Sequence, residues 1–491
     1  MAGPADLSAR EAARAVAAGM LKAEALVEAY LERVEAIEPR LRSFAYLDPA
    51  SARAQARAVD KARKKGALAG IPVGVKDIID TKDMPTECNS AIFAGNRPAE
   101  DADCVAAVRA AMGVILGKCV TTEFAGSFPG PTANPYSFAH TPGGSSSGSA
   151  AAVAAGLVPF AFGTQTGGSV IRPASYCGCF GYKATRESLS LKGVHPLASS
   201  LDTLGFYARS ADDALLFHAV LAGVKDTQPK LPRKPRLAVV RTAMRAKIEP
   251  ASADLLEAAT HRLAAHAERI DQIELPALDS GFDAQNVLIS SGIAQAFDEL
   301  EKRHHDLLSV TLLQAIESGR GHSRARIAEA EETRTACIAA IDRFFEGYDA
   351  ILTPAAAGEA PRGYHWTGNP DFNRLWTFLG TPSVSLPVGL GPNRLPVGLQ
   401  LVGARGNDRF LLALSEWAYT ILGGIAPPKL PEARPMAALE RRAGLALDEA
   451  LSQAWAEGDK VLQEMAGRMP RDLAYEVEPA HIFAPSRRRP R

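Results

Sequence analysis

Three short segments hold residue types that can do acid–base and nucleophilic chemistry. The first is Lys76, which ends the apolar run 71–75. Burial disfavours the charged form of a lysine and lowers its pKa, and a neutral lysine is a competent general base near pH 7. On this run alone, Lys76 can equally be a strand-edge lysine that pairs with Asp77 or Asp80.

The other two segments combine serines with glycines. Residues 143–149 read GGSSSGS and supply hydroxyls beside a backbone that can take unusual angles. Residues 163–169 read GTQTGGS, where successive N–H groups can converge on one anion. Ser169 would then carry a nucleophilic oxygen beside its own oxyanion donors. Taken singly, the first segment also fits a flexible linker and the second a simple turn.

The pattern G-x-S-x-G at residues 144–148 formally matches the nucleophile elbow of α/β-hydrolases. That motif requires a strand that enters the elbow, and residues 138–143 are poor strand material. We therefore interpret this match as a chance pattern in a segment rich in glycine and serine.

Apolar periodicity and β-branched runs indicate the elements that must position these residues. We expect helices over 9–19, 22–37, 51–65, 104–112, 150–155, 211–223 and 252–269, and a mostly helical stretch over 285–346. We expect strands over Ile71–Ile79, Val114–Leu116, Val158–Phe162, Leu237–Val240, Ala350–Thr353, Ser383–Pro387 and Val397–Val402, and a glycine-rich turn over 163–169. Alternating strands and helices predict an α/β fold.

The composition excludes several classes of protein. The chain has 491 residues, with 55 basic and 55 acidic side chains, so no basic bias points to nucleic acid. No apolar stretch has the length of a membrane span, and we read no signal peptide at the N-terminus. The six cysteines form no C-x-x-C pair, so we expect reduced thiols in a cytoplasmic protein and no metal site.

Together, the three segments resemble the amidase signature family. Its motifs are G-I-P-V-G-V-K-D, G-G-S-S-G-G-S and G-T-D-T-G-G-S-I-R-x-P-A, and this chain has close counterparts at 70–77, 143–149 and 163–174. The two key serines are 24 residues apart, as in the family pattern. Supporting matches lie at 134–136, 200–202 and 396–403, so the resemblance covers roughly residues 8–424.

The resemblance implies both a fold and a site. The fold would be a large mixed, twisted central β-sheet surrounded by α-helices. Ser169 would be the acylating nucleophile, Ser145 a bridging serine after a cis peptide bond, and Lys76 the terminal base. The N–H groups of residues 166–169, that is Thr166, Gly167, Gly168 and Ser169, would form the oxyanion hole. The implied activity is hydrolysis of a small-molecule amide, with esters and carbamates left open, and without cofactor, metal, nucleic acid or membrane.

Three positions depart from the family motif. Gln165 stands where the family has an acidic residue, Ser147 stands where glycine is usual, and Arg172 lies one place later than the usual arginine. None of these removes a catalytic atom. They leave open the hydrogen bonding beneath the glycine loop.

Two other functions stay open. The A subunit of glutamyl-tRNA amidotransferase has the same motifs, but it usually shows S-L-D-Q-I-G-P and M-D-E-F-A-M-G, where this chain has SLDTLGF at 200–206 and TTEFAG at 121–126. Both differences favour a stand-alone amidase. A non-catalytic binding relative is the third hypothesis, which the intact catalytic positions disfavour.

The substrate pocket and the C-terminus are less well defined. Aromatic candidates for an acyl or aryl pocket, each of which could equally be a core residue, are Phe128, Tyr136, Tyr176, Trp366 and Trp376. We divide the chain into a catalytic domain, 1–424, and a proline-rich linker with a helical extension, 425–491. The helices of that extension would either pack against a second copy in a homodimer or cover their own domain.

Overall fold

The structure, a computed structural model, describes residues 3–227 and 229–430. These residues belong to one structural unit that spans Met1–Pro431. The helices predicted within 439–467 and the basic tail lie outside the described residues. The division of the chain between residues 424 and 425 stays a prediction.

The strands of the described chain form a single mixed sheet. The eleven strands are β1 Phe44–Leu47, β2 Pro72–Lys76, β3 Val114–Cys119, β4 Phe160–Gln165, β5 Phe180–Lys183, β6 Thr203–Ala208, β7 Arg236–Arg241, β8 Arg269–Glu274, β9 Ala350–Pro354, β10 Ser383–Leu390 and β11 Pro396–Val402. Their order across the sheet is β1-β3-β2-β4-β6-β5-β10-β11-β9-β7-β8. Strand β2 is parallel to β3 and β4, and β7 is parallel to β8 and β9. The other neighbouring strands are antiparallel.

Helices pack around this sheet. Those of the described chain are α1 Ala9–Ala17, α2 Ala23–Leu41, α3 Pro49–Lys61, α4 Asp103–Ala110, α5 Ser147–Ala154, α6 Ile171–Cys177, α7 Ala211–Leu221, α8 Pro250–Ala264, α9 Gly281–His304, α10 Val310–Arg320, α11 Arg324–Gly347, α12 Asp371–Phe378 and α13 Asp408–Leu422. The predicted α/β architecture, a large mixed sheet surrounded by helices, is confirmed.

Several local predictions were wrong or incomplete. Helix α5 begins at Ser147, three residues before the predicted start, because the serine and glycine segment is buried and completes the first helical turn. Residues 163–165 belong to β4 rather than to a turn, since they pair with β6. The predicted helix over 252–269 ends at Ala264, and residue 269 begins β8. Sequence reasoning also missed β1, β5, β6, α6, α12 and α13.

The parallel strands β2 and β4 are the elements that position the site. Every residue of both strands is buried, which matches the near-continuous apolar character of parallel strands covered on two faces. The residues of α5 up to Val153 are buried as well, so that helix lies within the core rather than on its surface. Lys76 is the last residue of β2, and the loop 166–169 follows directly after β4. Because these two strands are parallel neighbours, Lys76 and the loop lie at the same edge of the sheet.

A helix that crosses a bilayer must be both long and apolar. None of the helices in the described part of the chain combines that length with that apolar character.

Candidate active site

Lys76 lies at the centre of the site and is completely buried. Its Nζ donates to Ser145 Oγ at 2.8 Å and to Thr164 Oγ1 at 2.8 Å. Burial lowers the pKa of Lys76 to about 7, although the nearby Asp202 carboxylate favours the charged amine. A substantial fraction of Lys76 is therefore neutral at pH 7 and able to accept a proton from Ser145.

The strand-edge alternative for Lys76 does not describe the structure. Asp77 instead faces Lys118, whose Nζ lies 3.4 Å from Asp77 Oδ1. Both of these side chains are buried, and burial raises the pKa of Asp77 to about 6 even though Lys118 opposes that shift. Lys76 is thus free of a carboxylate partner in direct contact among the described residues.

Ser145 follows a cis peptide bond, as the family resemblance implied. The carbonyl oxygen of this bond, on Gly144, accepts from Arg172 Nη2 at 2.6 Å. The Ser145 carbonyl accepts from the Thr122 N–H at 3.2 Å. Bonds on either side of Ser145 therefore hold its hydroxyl toward Lys76.

Ser169 lies beside this segment at the end of the glycine loop. Its carbonyl oxygen accepts from the Ser146 N–H at 3.4 Å and from the Tyr207 hydroxyl at 3.2 Å. Ser169 is half-buried, whereas Ser145 and Lys76 are buried. The three predicted residues thus run from the protein interior toward solvent, with Ser169 outermost.

The loop 166–169 presents backbone donors. Within the described chain, the N–H groups of Gly167, Gly168 and Ser169 donate to no other protein group. The Thr166 hydroxyl donates to Asp202 Oδ1 at 2.5 Å, and Asp202 in turn accepts from the N–H groups of Leu197 and Ala198. The loop is therefore anchored at one end while its N–H groups stay available to an anion.

Gln165 supports the same loop from beneath, a role that the sequence left open. Its Oε1 accepts from the N–H groups of Val170 at 2.8 Å and Ile171 at 3.0 Å, and its Nε2 donates to Thr377 Oγ1 at 2.9 Å. The Thr377 hydroxyl then donates to the Gly167 carbonyl at 2.8 Å. The amide thus keeps one acceptor oxygen for the two N–H groups and gives a donor to Thr377, where a carboxylate would offer two acceptor oxygens and no donor.

The other two departures from the motif are also accommodated. Arg172 is buried, and its Nε donates to the Thr367 carbonyl at 2.8 Å. Ser147 donates to the Val120 carbonyl at 3.3 Å. Sequence reasoning found neither Thr367 nor Thr377, because their contacts with the catalytic segments span about two hundred positions of the chain and no motif links them.

The elbow interpretation is excluded on structural grounds. No strand enters the segment 141–146. Ser146 is completely buried, and its hydroxyl exchanges hydrogen bonds of 3.3 Å with the N–H and carbonyl groups of Thr164. It is therefore a structural residue that joins α5 to β4.

The five aromatic candidates divide into core and surface residues. Tyr176 and Trp376 are buried, whereas Phe128 and Trp366 are each 51% exposed. Tyr136 donates to the Ala426 carbonyl at 2.7 Å. The six cysteines are buried, and none forms a disulfide.

Comparisons with known proteins show which family and which folds this chain resembles. A family model described as Amidase matches residues 25–412. The A subunit of glutamyl-tRNA(Gln) amidotransferase from Roseiflexus castenholzii is 32% identical over 470 residues, which cover 84% of this chain and 95% of that protein. A solved amidase is 29% identical with a TM-score of 0.78, covering 85% of this chain and 100% of that one. The native peptide amidase from Stenotrophomonas maltophilia is 26% identical with a TM-score of 0.74, covering 87% and 99%.

Proposed function

The chain belongs to the amidase family, and we propose that it is an amidohydrolase that cleaves the C–N bond of a small carboxylic amide. Ser169 is the nucleophile in this proposal, Ser145 relays protons, and Lys76 is the terminal base. The observation that carries the proposal is the completely buried Lys76 amine, which lies 2.8 Å from the hydroxyl of Ser145.

The reaction proceeds through an acyl-enzyme. Neutral Lys76 takes the proton of Ser145, which takes the proton of Ser169 as the Ser169 oxygen attacks the carbonyl carbon. The N–H groups of residues 166–169 stabilise the tetrahedral oxyanion, where each such donor contributes roughly 3 kcal/mol. The relay then runs backwards and protonates the departing nitrogen, so the C–N bond breaks and the amine leaves.

Water completes the cycle. It attacks the acyl-enzyme carbonyl, gives its proton to the same relay, and releases the carboxylic acid with Ser169 restored. All of the groups in this proposal belong to the chain itself, so the reaction requires no metal or cofactor. Esters and carbamates present the same carbonyl geometry and are proposed as secondary substrates. We also propose that the enzyme acts in the cytoplasm, with the catalytic residues in domain 1–424.

A second candidate function is that of the A subunit in a glutamyl-tRNA amidotransferase. The 32% identity to a protein of that name favours it. Against it stand the differences at 200–206 and 121–126, including Phe206, whose buried ring packs edge-on against Phe217. We favour the stand-alone enzyme because both of these motifs depart from the usual amidotransferase pattern.

An assay of amide hydrolysis by the purified chain, with no partner protein present, distinguishes these two functions. We expect it to release ammonia or amine from a panel of simple aryl and aliphatic amides, and we expect Ser169→Ala to abolish release while the protein stays folded by circular dichroism. A serine-directed fluorophosphonate should label Ser169. No release by the pure chain would favour the amidotransferase role, and labelling of Ser146 with Ser169 untouched would overturn the assigned nucleophile.

A further inference from the structure

A cavity lies at the carboxyl ends of β7 and β9, and none of the residues assigned to catalysis lines it. Its volume is ≈ 580 Å³. The floor is formed by residues 239–242 and by Thr353 and Pro354, while α8 forms one wall. A cavity of this size is within the usual range for a small-molecule site.

The strands that carry this cavity and those that carry the catalytic residues end at different edges of the sheet. Helix α12 contacts both sites, since Phe372 lines the cavity and Asn373 lies against Gly168. Five successive antiparallel pairings lead from β4 to β9, so β9 and its parallel neighbours run opposite to β2 and β4. The carboxyl ends of β7 and β9 therefore lie at the other edge of the sheet from the carboxyl ends that carry Lys76 and the loop 166–169.

The order of the strands reverses at β7, and open α/β sheets usually bind ligands at such reversals. Strand β7 continues through α8 to β8 on one side, and the chain later returns to place β9 on the other side. Crevices at such a reversal, outside the carboxyl ends of the strands, are the usual ligand sites of these sheets. The cavity is lined by residues that follow both β7 and β9, so it lies in such a crevice.

The polar lining carries an excess of positive charge. The guanidinium groups of Arg241 and Arg245 line the cavity together with a single carboxylate, Glu257. Arg241 donates to Gln272 Oε1. Among the described residues, no side chain forms a hydrogen bond or ion pair with the exposed Arg245 guanidinium. A single negative charge on a ligand would therefore complement the lining.

The remaining lining is apolar. Ile248, Leu256, Pro354 and Phe372 face the same cavity. A fully hydrated ion would gain nothing from these side chains, whereas a short hydrocarbon or an aromatic ring would be removed from water against them. We infer that the cavity binds a small monocarboxylate with an apolar body, at a site separate from the catalytic serine.

The test uses phenylacetate and hexanoate as probes, with benzyl alcohol and 1-hexanol as uncharged counterparts. Binding is measured by isothermal titration calorimetry on full-length Ser169→Ala protein, which would neither form nor consume a carboxylate. We expect both carboxylates to bind with a stoichiometry of one and to bind more tightly than the alcohols. Arg245→Gln should weaken carboxylate binding about tenfold, since it removes a charged hydrogen-bond donor.

Arg14→Gln is the matched control, because it removes one exposed positive charge far from the cavity. It should leave the affinity unchanged. Leu256→Trp fills the apolar part of the cavity and should also weaken binding. This second variant tests the inference even if the Arg245 variant does not fold. The inference would be overturned if neither carboxylate bound. It would also be overturned if the carboxylates bound equally well to both cavity variants, because the probes would then occupy the catalytic site.

Discussion

Three lysines among the residues that the structure describes are completely buried, but their partners differ. Lys118 pairs with Asp77, and Lys183 donates to the carbonyls of Ala184 and Thr381. Burial lowers the pKa of Lys183 to about 7, the same value as for Lys76. Carbonyl oxygens have no proton to give, so Lys183 cannot act as a base toward these two hydrogen-bond partners. The contact with a serine hydroxyl, rather than the pKa, is therefore what supports our proposal that Lys76 is the base.

The pKa of Lys76 predicts how turnover depends on pH. The group is protonated below its folded pKa of about 7, and the protonated amine cannot accept from Ser145. We therefore expect kcat/KM to fall about tenfold per pH unit below pH 7 and to level off above it. Lys183→Met is the control, and its profile should keep the same midpoint. A profile that is flat from pH 5 to pH 9 would contradict the assignment of Lys76.

Gln165 gives a second prediction at the scale of single residues. Gln165→Leu removes the acceptor of two buried N–H groups and the donor that orients Thr377. Because the loop 166–169 then loses its support, we expect kcat to fall about 10²-fold with little change in KM. Gln165→Glu retains the acceptor and should lose much less. Equal losses in the two variants would show that the acceptor oxygen has no role in positioning the loop.

At the scale of elements, the close approach of α5 to the end of β3 keeps the serine segment in place. A Cβ on Gly148 would lie 2.1 Å from the Ser43 carbonyl oxygen and 2.5 Å from the Val120 nitrogen. Both of these are backbone atoms, so no side chain can move aside. Any larger residue must push the first turn of α5, and with it Ser145, away from β3.

We therefore expect Gly148→Ala to lower the free energy of unfolding by about 1–3 kcal/mol and to reduce kcat. Denaturant titration and amide turnover measure the two effects. Gly347→Ala is the control, since its Cβ would meet no atom closer than 3.9 Å at the end of α11. If Gly148→Ala kept both stability and activity, the tight contact between α5 and β3 would not hold in solution.

The elements also show what the sequence could and could not predict. The apolar runs of β2, β3 and β9 identified them as strands because both faces of these strands are buried. Strand β8 lies at the edge of the sheet and has no fully buried residue. Only Ile270 and Ile273 are apolar, and they are not adjacent, so the strand carries no apolar run. Helix α6 has seven residues, all buried, and thus no amphipathic period from which to predict it.

At the scale of the whole molecule, distant parts of the chain complete the site. The motifs predicted the identities of Lys76, Ser145 and Ser169, and the structure places their segments at one edge of the sheet. The supports of those segments, Thr367 and Thr377, come from the segment that leads from β9 to β10. Their positions depend on long-range strand order, which a single sequence does not encode as a local pattern.

The boundary of the catalytic domain gives the last prediction. The predicted boundary at residue 424 leaves out Ile425, whose N–H donates to the Pro387 carbonyl at 3.2 Å. It also leaves out Ala426, whose carbonyl accepts from Tyr136 at 2.7 Å. All eleven described strands and the proposed catalytic residues lie within Met1–Pro431. We therefore expect a chain that ends at Pro431 to fold and to hydrolyse amides.

A chain that ends at Gly424 is the matched control. It keeps all eleven described strands but loses the hydrogen bonds of Ile425 and Ala426 and the packing of Ile425 against Gly178. Each of these bonds contributes about 1 kcal/mol, so its Tm should fall about 2 °C below that of the longer chain, a small shift because the chain is large. Scanning calorimetry and amide turnover on both chains measure the difference. If the chain ending at Pro431 failed to fold while the full-length protein folded, residues beyond 431 would belong to the catalytic domain, and the predicted division of the chain would be wrong.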